Sequence, residues 1–300
     1  MTDPLANSGL VVVDKPQGMS SHDVVARLRR IFGTRRVGHA GTLDPMATGV
    51  LVAGIERGTK FLAHMVADTK AYEATVFLGA STSTDDAEGE RGELADATAI
   101  QAITEAEIEA EIDRLRGPIM QRPAAVSAIK IDGKRAYQRV REGEAVEIPP
   151  RPVTIDRFDV VDLRKHPDHI ALDVVVECSS GTYIRSLARD LGEALGVGGH
   201  LTALRRTAVG AFGLEDARSL EELEERPELS VSLDQALIRC YPVLEVSQQE
   251  ATDLAMGKWL APRGLRGVHA AVAPDGRAVA LVKEKGKRLA TVFVARPSTL

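Results

Sequence analysis

Two long runs, Val153–Leu163 and Ile170–Cys178, are separated only by a short polar turn containing Pro167. A connection that short leaves no room for a crossover helix, so the pair predicts an antiparallel hairpin. Other runs follow suit. Leu10–Asp14 ends at the turn signal Lys15-Pro16-Gln17-Gly18, Val50–Ala53 reads as a buried strand, and Tyr72–Leu78 places Tyr72, Ala74, Val76 and Leu78 on one face. Between them lie helical patterns: Val24, Val25, Leu28, Ile31 and Phe32 after the N-cap candidates Ser20 and Ser21, and Ile108, Ile112 and Leu115 within Thr104–Arg116. Glu56–Val66 and the basic segment Lys134–Arg141 also read as helices, and Val37–Gly49 as a loop. The expectation is an α+β fold with a largely antiparallel, mixed sheet flanked by helices.

A small β-rich tail, Tyr241–Arg296, is expected to form strands at Ala270–Ala273, Ala278–Val282 and Ala290–Ala295. This divides the 300-residue chain into 1–238 and 239–300. No apolar run approaches the ~18 residues of a membrane helix, and Met1–Leu10 lacks the segments of a signal peptide. Cys178 and Cys240 are the only cysteines and stand far apart, which excludes a disulfide scaffold and a cysteine-based zinc site. The expected compartment is the cytoplasm.

The net charge of −5 argues against a nucleic-acid partner until its distribution is considered. Asp14–Lys70 carries +4 and Arg116–Arg141 +6, while Ser81–Arg114 carries −9 and Glu215–Asp234 −6. Such segregation suits one basic face with acidic helices turned away from it, and equally suits solvated charge runs.

Chemistry concentrates in two blocks. Gly38-His39-Ala40-Gly41-Thr42-Leu43-Asp44-Pro45-Met46-Ala47-Thr48-Gly49 offers a carboxylate on a glycine-rich loop, where backbone can approach a ligand closely. The plain alternative for Asp44 is to cap the turn begun by Pro45. Cys178–Gly192 sets Tyr183 and Arg185 where a strand turns into an amphipathic helix. A surface salt bridge and a core tyrosine are the plain alternatives there. Tyr72, in Thr69-Lys70-Ala71-Tyr72-Glu73, is a third candidate.

Taken together, Val13–Ser21, Gly38–Gly49, Lys70–Tyr72, Ser83–Gly89, Ser127–Lys130, Cys178–Gly192 and His200–Arg206 resemble, in order, the TruB family of pseudouridine synthases. The resemblance spans roughly the first 210 residues. It implies conversion of uridine 55 in the tRNA T loop to pseudouridine. Asp44 matches the catalytic aspartate, Tyr72 the tyrosine that stacks on the extruded base, and Arg185 the arginine paired with the aspartate. His39, Tyr183 and Leu204 match positions lining the nucleotide pocket, and Lys15 a lysine near the site. It further implies tRNA as partner, with no guide RNA and no obligate protein partner, a PUA-like RNA-binding tail, and no cofactor or metal. The alternative function is a tRNA-folding chaperone in which opening the T arm matters more than chemistry.

Overall fold

A computed structural model describes residues 3–65, 69–124, 130–131, 134–135 and 148–299. The chain forms two compact units, residues 1–67 with 208–300, and residues 68–207.

In the first unit the strand Gly9–Lys15 runs antiparallel to Thr48–Ile55, from Gly9 opposite Ile55 to Lys15 opposite Gly49. Val231–Ser232 also pairs with it. Val37–Ala40, expected as loop, is instead a strand against Thr48–Ile55, with His39 opposite Ala53. Leu10, Val12, Val50 and Val52 are fully buried in a core completed by Phe61, Phe212, Leu233, Leu237, Leu281 and Phe293. The expected helix Glu56–Val66 shrinks to one turn, Gly58–Phe61. Glu56, at φ +51°, swings the chain out of the strand in a conformation that no right-handed helix continues.

The helix Ser21–Ile31 begins as its sequence predicts. Ser20 and Asp23 form a reciprocal capping box, and Val24, Val25 and Leu28 are buried. The acidic helix Leu220–Glu225 does not turn away from it. Arg27 donates from Nε to Glu224 at 2.7 Å and from Nη2 to Glu221 at 3.0 Å. Opposite charges have drawn these two helices together, so Arg27 is engaged within the protein, while Arg30 and Arg35 stay exposed.

The tail is not purely β. Its sheet runs Val243–Glu245, Val268–Val272, Ala278–Lys285, Arg288–Val294, with the first pair parallel and the others antiparallel. A helix, Gln248–Ala255, covers it with Ala251 and Leu254, started by a Ser247/Glu250 capping box.

In the second unit the strand order is Gly199–Val209, Thr69–Leu78, Ile170–Ser179, Arg151–Lys165, Gly117–Gln121. Thr69–Leu78 and Ile170–Ser179 pair antiparallel over their whole length, and the expected hairpin with Arg151–Lys165 is present. Flanking helices are Ala97–Ala102, Glu105–Leu115 and Ile184–Ala194. Lys134–Arg135, expected to start a helix, pairs as a strand with Lys130–Ile131. The rest of that basic segment, and Ser127 of the family-like block, lie outside the described residues. The fold is α+β, built on largely antiparallel sheet flanked by helices. Among the described residues no helix is long and apolar enough to cross a membrane.

Candidate active site

Asp44 sits in the loop joining Val37–Ala40 to Thr48–Ile55 and is half-exposed. Gly41 and Gly49, at φ +75° and +96°, bound the loop in backbone geometry that disfavours any side chain. The chain is gripped on both sides of the aspartate. Before it, the Ser21 hydroxyl accepts from Leu43 N–H at 2.8 Å and donates to Leu43 C=O at 3.0 Å. After it, Pro45 C=O accepts from Gly18 N–H at 2.8 Å and from the Lys15 ammonium at 3.3 Å. Lys15 is fully buried, and its Nζ also donates to Met19 C=O at 2.6 Å and Pro16 C=O at 2.9 Å. A buried ammonium is tolerable only with its donors directed at acceptors. Lys15 thereby acts as a strut under the Asp44 loop. His39 is half-exposed at the head of the same loop.

The other four expected residues belong to the second unit. Tyr72 is buried on Thr69–Leu78, opposite Val176. Lys70 points to the same side of that strand as Tyr72. Burial, and then the neighbouring Arg206, push its ammonium below the usual lysine range. Leu204 is buried on Gly199–Val209. Tyr183 precedes the helix Ile184–Ala194, and the buried Gln121 holds its backbone, accepting from the N–H at 2.9 Å and donating to the C=O at 3.0 Å.

Arg185 lies in that helix's first turn, 5% exposed. Its Nη1 donates to Thr84 C=O at 2.9 Å and meets the carboxylate of buried Asp86 at 3.4 Å. Asp86 is locked in turn by the Thr84 hydroxyl at 2.6 Å and Glu88 N–H at 3.0 Å. One turn further along the helix, Arg189 pairs with Asp85 at 3.0 Å and Asp190 at 2.7 Å. Burial pushes the Asp85 carboxyl up, against the pull of both arginines. Sequence reasoning assigned no role to Asp86, Asp85, Arg189 or Gln121, although Asp85 and Asp86 fall within the Ser83–Gly89 block.

The chain matches three family models in succession. Residues 29–184 match the TruB family pseudouridylate synthase N-terminal domain. Residues 185–240 match the tRNA pseudouridylate synthase B C-terminal domain, and 241–296 the tRNA pseudouridine synthase II C-terminal domain. The chain belongs to the TruB family of pseudouridine synthases. Among its TruB relatives, the tRNA pseudouridine synthase B of Corynebacterium diphtheriae is 70% identical over 300 residues, 100% of both chains. That of Mycolicibacterium paratuberculosis is 60% identical over 292 residues, 97% of this chain and 99% of its own. The TruB chain also shares its fold with a solved Cbf5-Nop10-Gar1 complex (TM-score 0.73, 24% identity, 98% of this chain and 87% of that one). An H/ACA RNP bound to a substrate RNA containing 2'-deoxyuridine gives a TM-score of 0.72 at 23% identity, over 98% and 86%.

Proposed function

We infer that this chain isomerises the uridine at position 55 in the T loop of tRNA to pseudouridine, with Asp44 as the catalytic carboxylate. Family membership along the whole chain carries the reading: the relatives bearing the name tRNA pseudouridine synthase B align from end to end. The Asp44 loop supplies the physical ground, because a catalytic carboxylate must be held on a rigid support.

The reaction breaks the N1–C1′ bond, turns the uracil and joins C5 to C1′. N1 gains a proton and C5 loses one. Atoms and electrons balance within the nucleotide, so the chemistry calls for no redox, metal or group-transfer cofactor. Asp44 acts while ionised. A guanidinium beside it, Arg185 in this proposal, favours the charged form against desolvation. Asp86 and Thr84 fix where that guanidinium points, so they are positioning residues. Tyr72 takes the role of stacking on the extruded base and receiving the C5 proton. His39, Tyr183 and Leu204 line the nucleotide pocket, and Lys15 supports the site through the Asp44 loop.

A T-loop uridine is stacked inside folded RNA, and extruding it costs a few kcal/mol. Apolar and aromatic walls offset that cost. Residues 1–238 carry the catalysis in this proposal and 239–300 form a PUA-like RNA-binding part. The enzyme works in the cytoplasm on free tRNA, without guide RNA or obligate protein partner.

The test is to map pseudouridine on an unmodified tRNA transcript after reaction with the pure protein and no guide. Position 55 alone is expected to convert. Asp44→Asn should abolish conversion while tRNA binding survives. Conversion by that variant would remove Asp44 from the chemistry, and binding with T-arm opening but no conversion by the unaltered chain would favour the chaperone.

A further inference from the structure

The hairpin Ala278–Lys285/Arg288–Val294 presents an outer face that the reaction above leaves unused. Lys283 and Lys285 alternate onto one side of the first strand, and the register sets Ala290 opposite Lys283 and Arg288 opposite Lys285. Beside them stands Trp259, the chain's single tryptophan, 53% exposed. The Arg288 guanidinium lies over its ring, 4.8 Å from the centroid. Trp259, Lys285, Arg288 and Thr291 line a recess of about 470 Å³. A neighbouring recess of about 450 Å³, lined by Lys283, Glu284, Lys285, Ala290, Thr291 and Val292, continues along the same strands, and its one carboxylate, Glu284, accepts from the N–H groups of Arg263 and Leu265.

Exposing a tryptophan forgoes a large burial energy, so an exposed one beside further apolar surface marks a contact site. The cations say what kind. Lys283, Lys285, Lys287 and Arg288 are all exposed, and among the described residues none of them meets a carboxylate. A braced aromatic plate flanked by unneutralised cations is complementary to a base and its phosphates. A duplex hides its base faces, so the plate requires an unpaired nucleotide.

We propose that Trp259 stacks an unpaired nucleotide of the tRNA substrate while Lys283, Lys285 and Arg288 hold the flanking phosphates. The identity of the RNA rests on the function proposed above. The site itself rests on the hairpin face.

Because no other tryptophan is present, emission excited at the red edge, where the four tyrosines do not absorb, reports this ring alone. Saturating unmodified tRNA transcript should quench it, and a fully paired RNA duplex should not. Trp259→Ala should raise the tRNA Kd about 5- to 150-fold, the worth of stacking one base. Trp259→Phe should restore most of the affinity, and both variants should keep kcat at saturating tRNA. Lys283→Gln with Lys285→Gln should flatten the slope of log Kd against log salt by about one to two. Emission indifferent to tRNA, or wild-type affinity in Trp259→Ala, overturns the proposal. Quenching by an acidic peptide but not by tRNA overturns it too, in favour of a protein partner. Quenching by tRNA with no pseudouridine formed supports the stacking site while removing the reaction.

Discussion

The loop through Asp44 is gripped at the residues on either side of its aspartate, whereas the loop Ser83–Gly89 is gripped by its aspartates themselves. Ser21 and Lys15 address backbone groups of Leu43 and Pro45. Arg185 and Arg189 address the carboxylates of Asp86 and Asp85. The first arrangement holds the backbone on both sides of a carboxylate. The second uses carboxylates as anchors, and what it fixes in place is an arginine. Two loops with similar residues therefore position side chains of opposite charge.

The largest expected effect breaks the second anchor. Asp86→Ala removes a carboxylate partner of the buried Arg185, and losing one partner of a buried pair costs about 3–5 kcal/mol. Urea unfolding should show the loss, and an unchanged midpoint would mean that Arg185 does not depend on Asp86. Lys15→Met should cost less, about 1–3 kcal/mol, because buried carbonyls lose their donor. Its signature is a lower kcat at unchanged tRNA affinity, and weaker binding at normal kcat would instead make Lys15 a substrate contact. Smaller again is Ser21→Ala, about 1 kcal/mol. Its neighbour sharpens the comparison, since Ser20→Ala removes a helix cap at a similar cost of about 1 kcal/mol yet should spare turnover, while Ser21→Ala should not.

The smallest effect is read by pH. A hydroxyl clamp such as Ser21 does not titrate, but an ion pair does. In the same unit Arg296 donates to Asp3 and holds its carboxyl down at about 2, from an ordinary 3.8. A carboxyl depressed on folding adds stability above its unfolded pKa, and that stability drains away as pH falls toward the folded value. Thermal melts between pH 5 and pH 2 should therefore fall more steeply for the unaltered chain than for Asp3→Asn. Equal slopes would show that the pair contributes nothing to the native state.

What was legible in the sequence was local. The helix Ser21–Ile31 announces itself through capping serines and a buried stripe, and the hairpin through a turn too short for anything else. The Asp44 loop stood out because its glycines and its aspartate are adjacent in the chain. The helix Gln248–Ala255 did not, since only Ala251 and Leu254 mark its buried side, although Ser247 and Glu250 spelled its start. Glu56–Val66 failed for the converse reason: helical composition yielded to one residue in left-handed geometry. The segregated charges misled because Arg27 and Glu224 are far apart in the chain and adjacent in space. Asp86 had no visible role for the same reason, its partner being brought to it only by the fold.

The core that buries Leu10 and Val12 also contains Phe293 and Ala295. A ribosome delivers the first of these residues long before the last. The opening strand must therefore wait, with part of its apolar surface uncovered, until Phe293 and Ala295 have emerged. Deleting the tail would strip that core, so point changes on the outer face are the cleaner probe of RNA binding. Closure across so long a stretch of chain is slow and exposed to aggregation. Truncation by even the final strand would leave a nascent chain for proteases rather than a weaker enzyme.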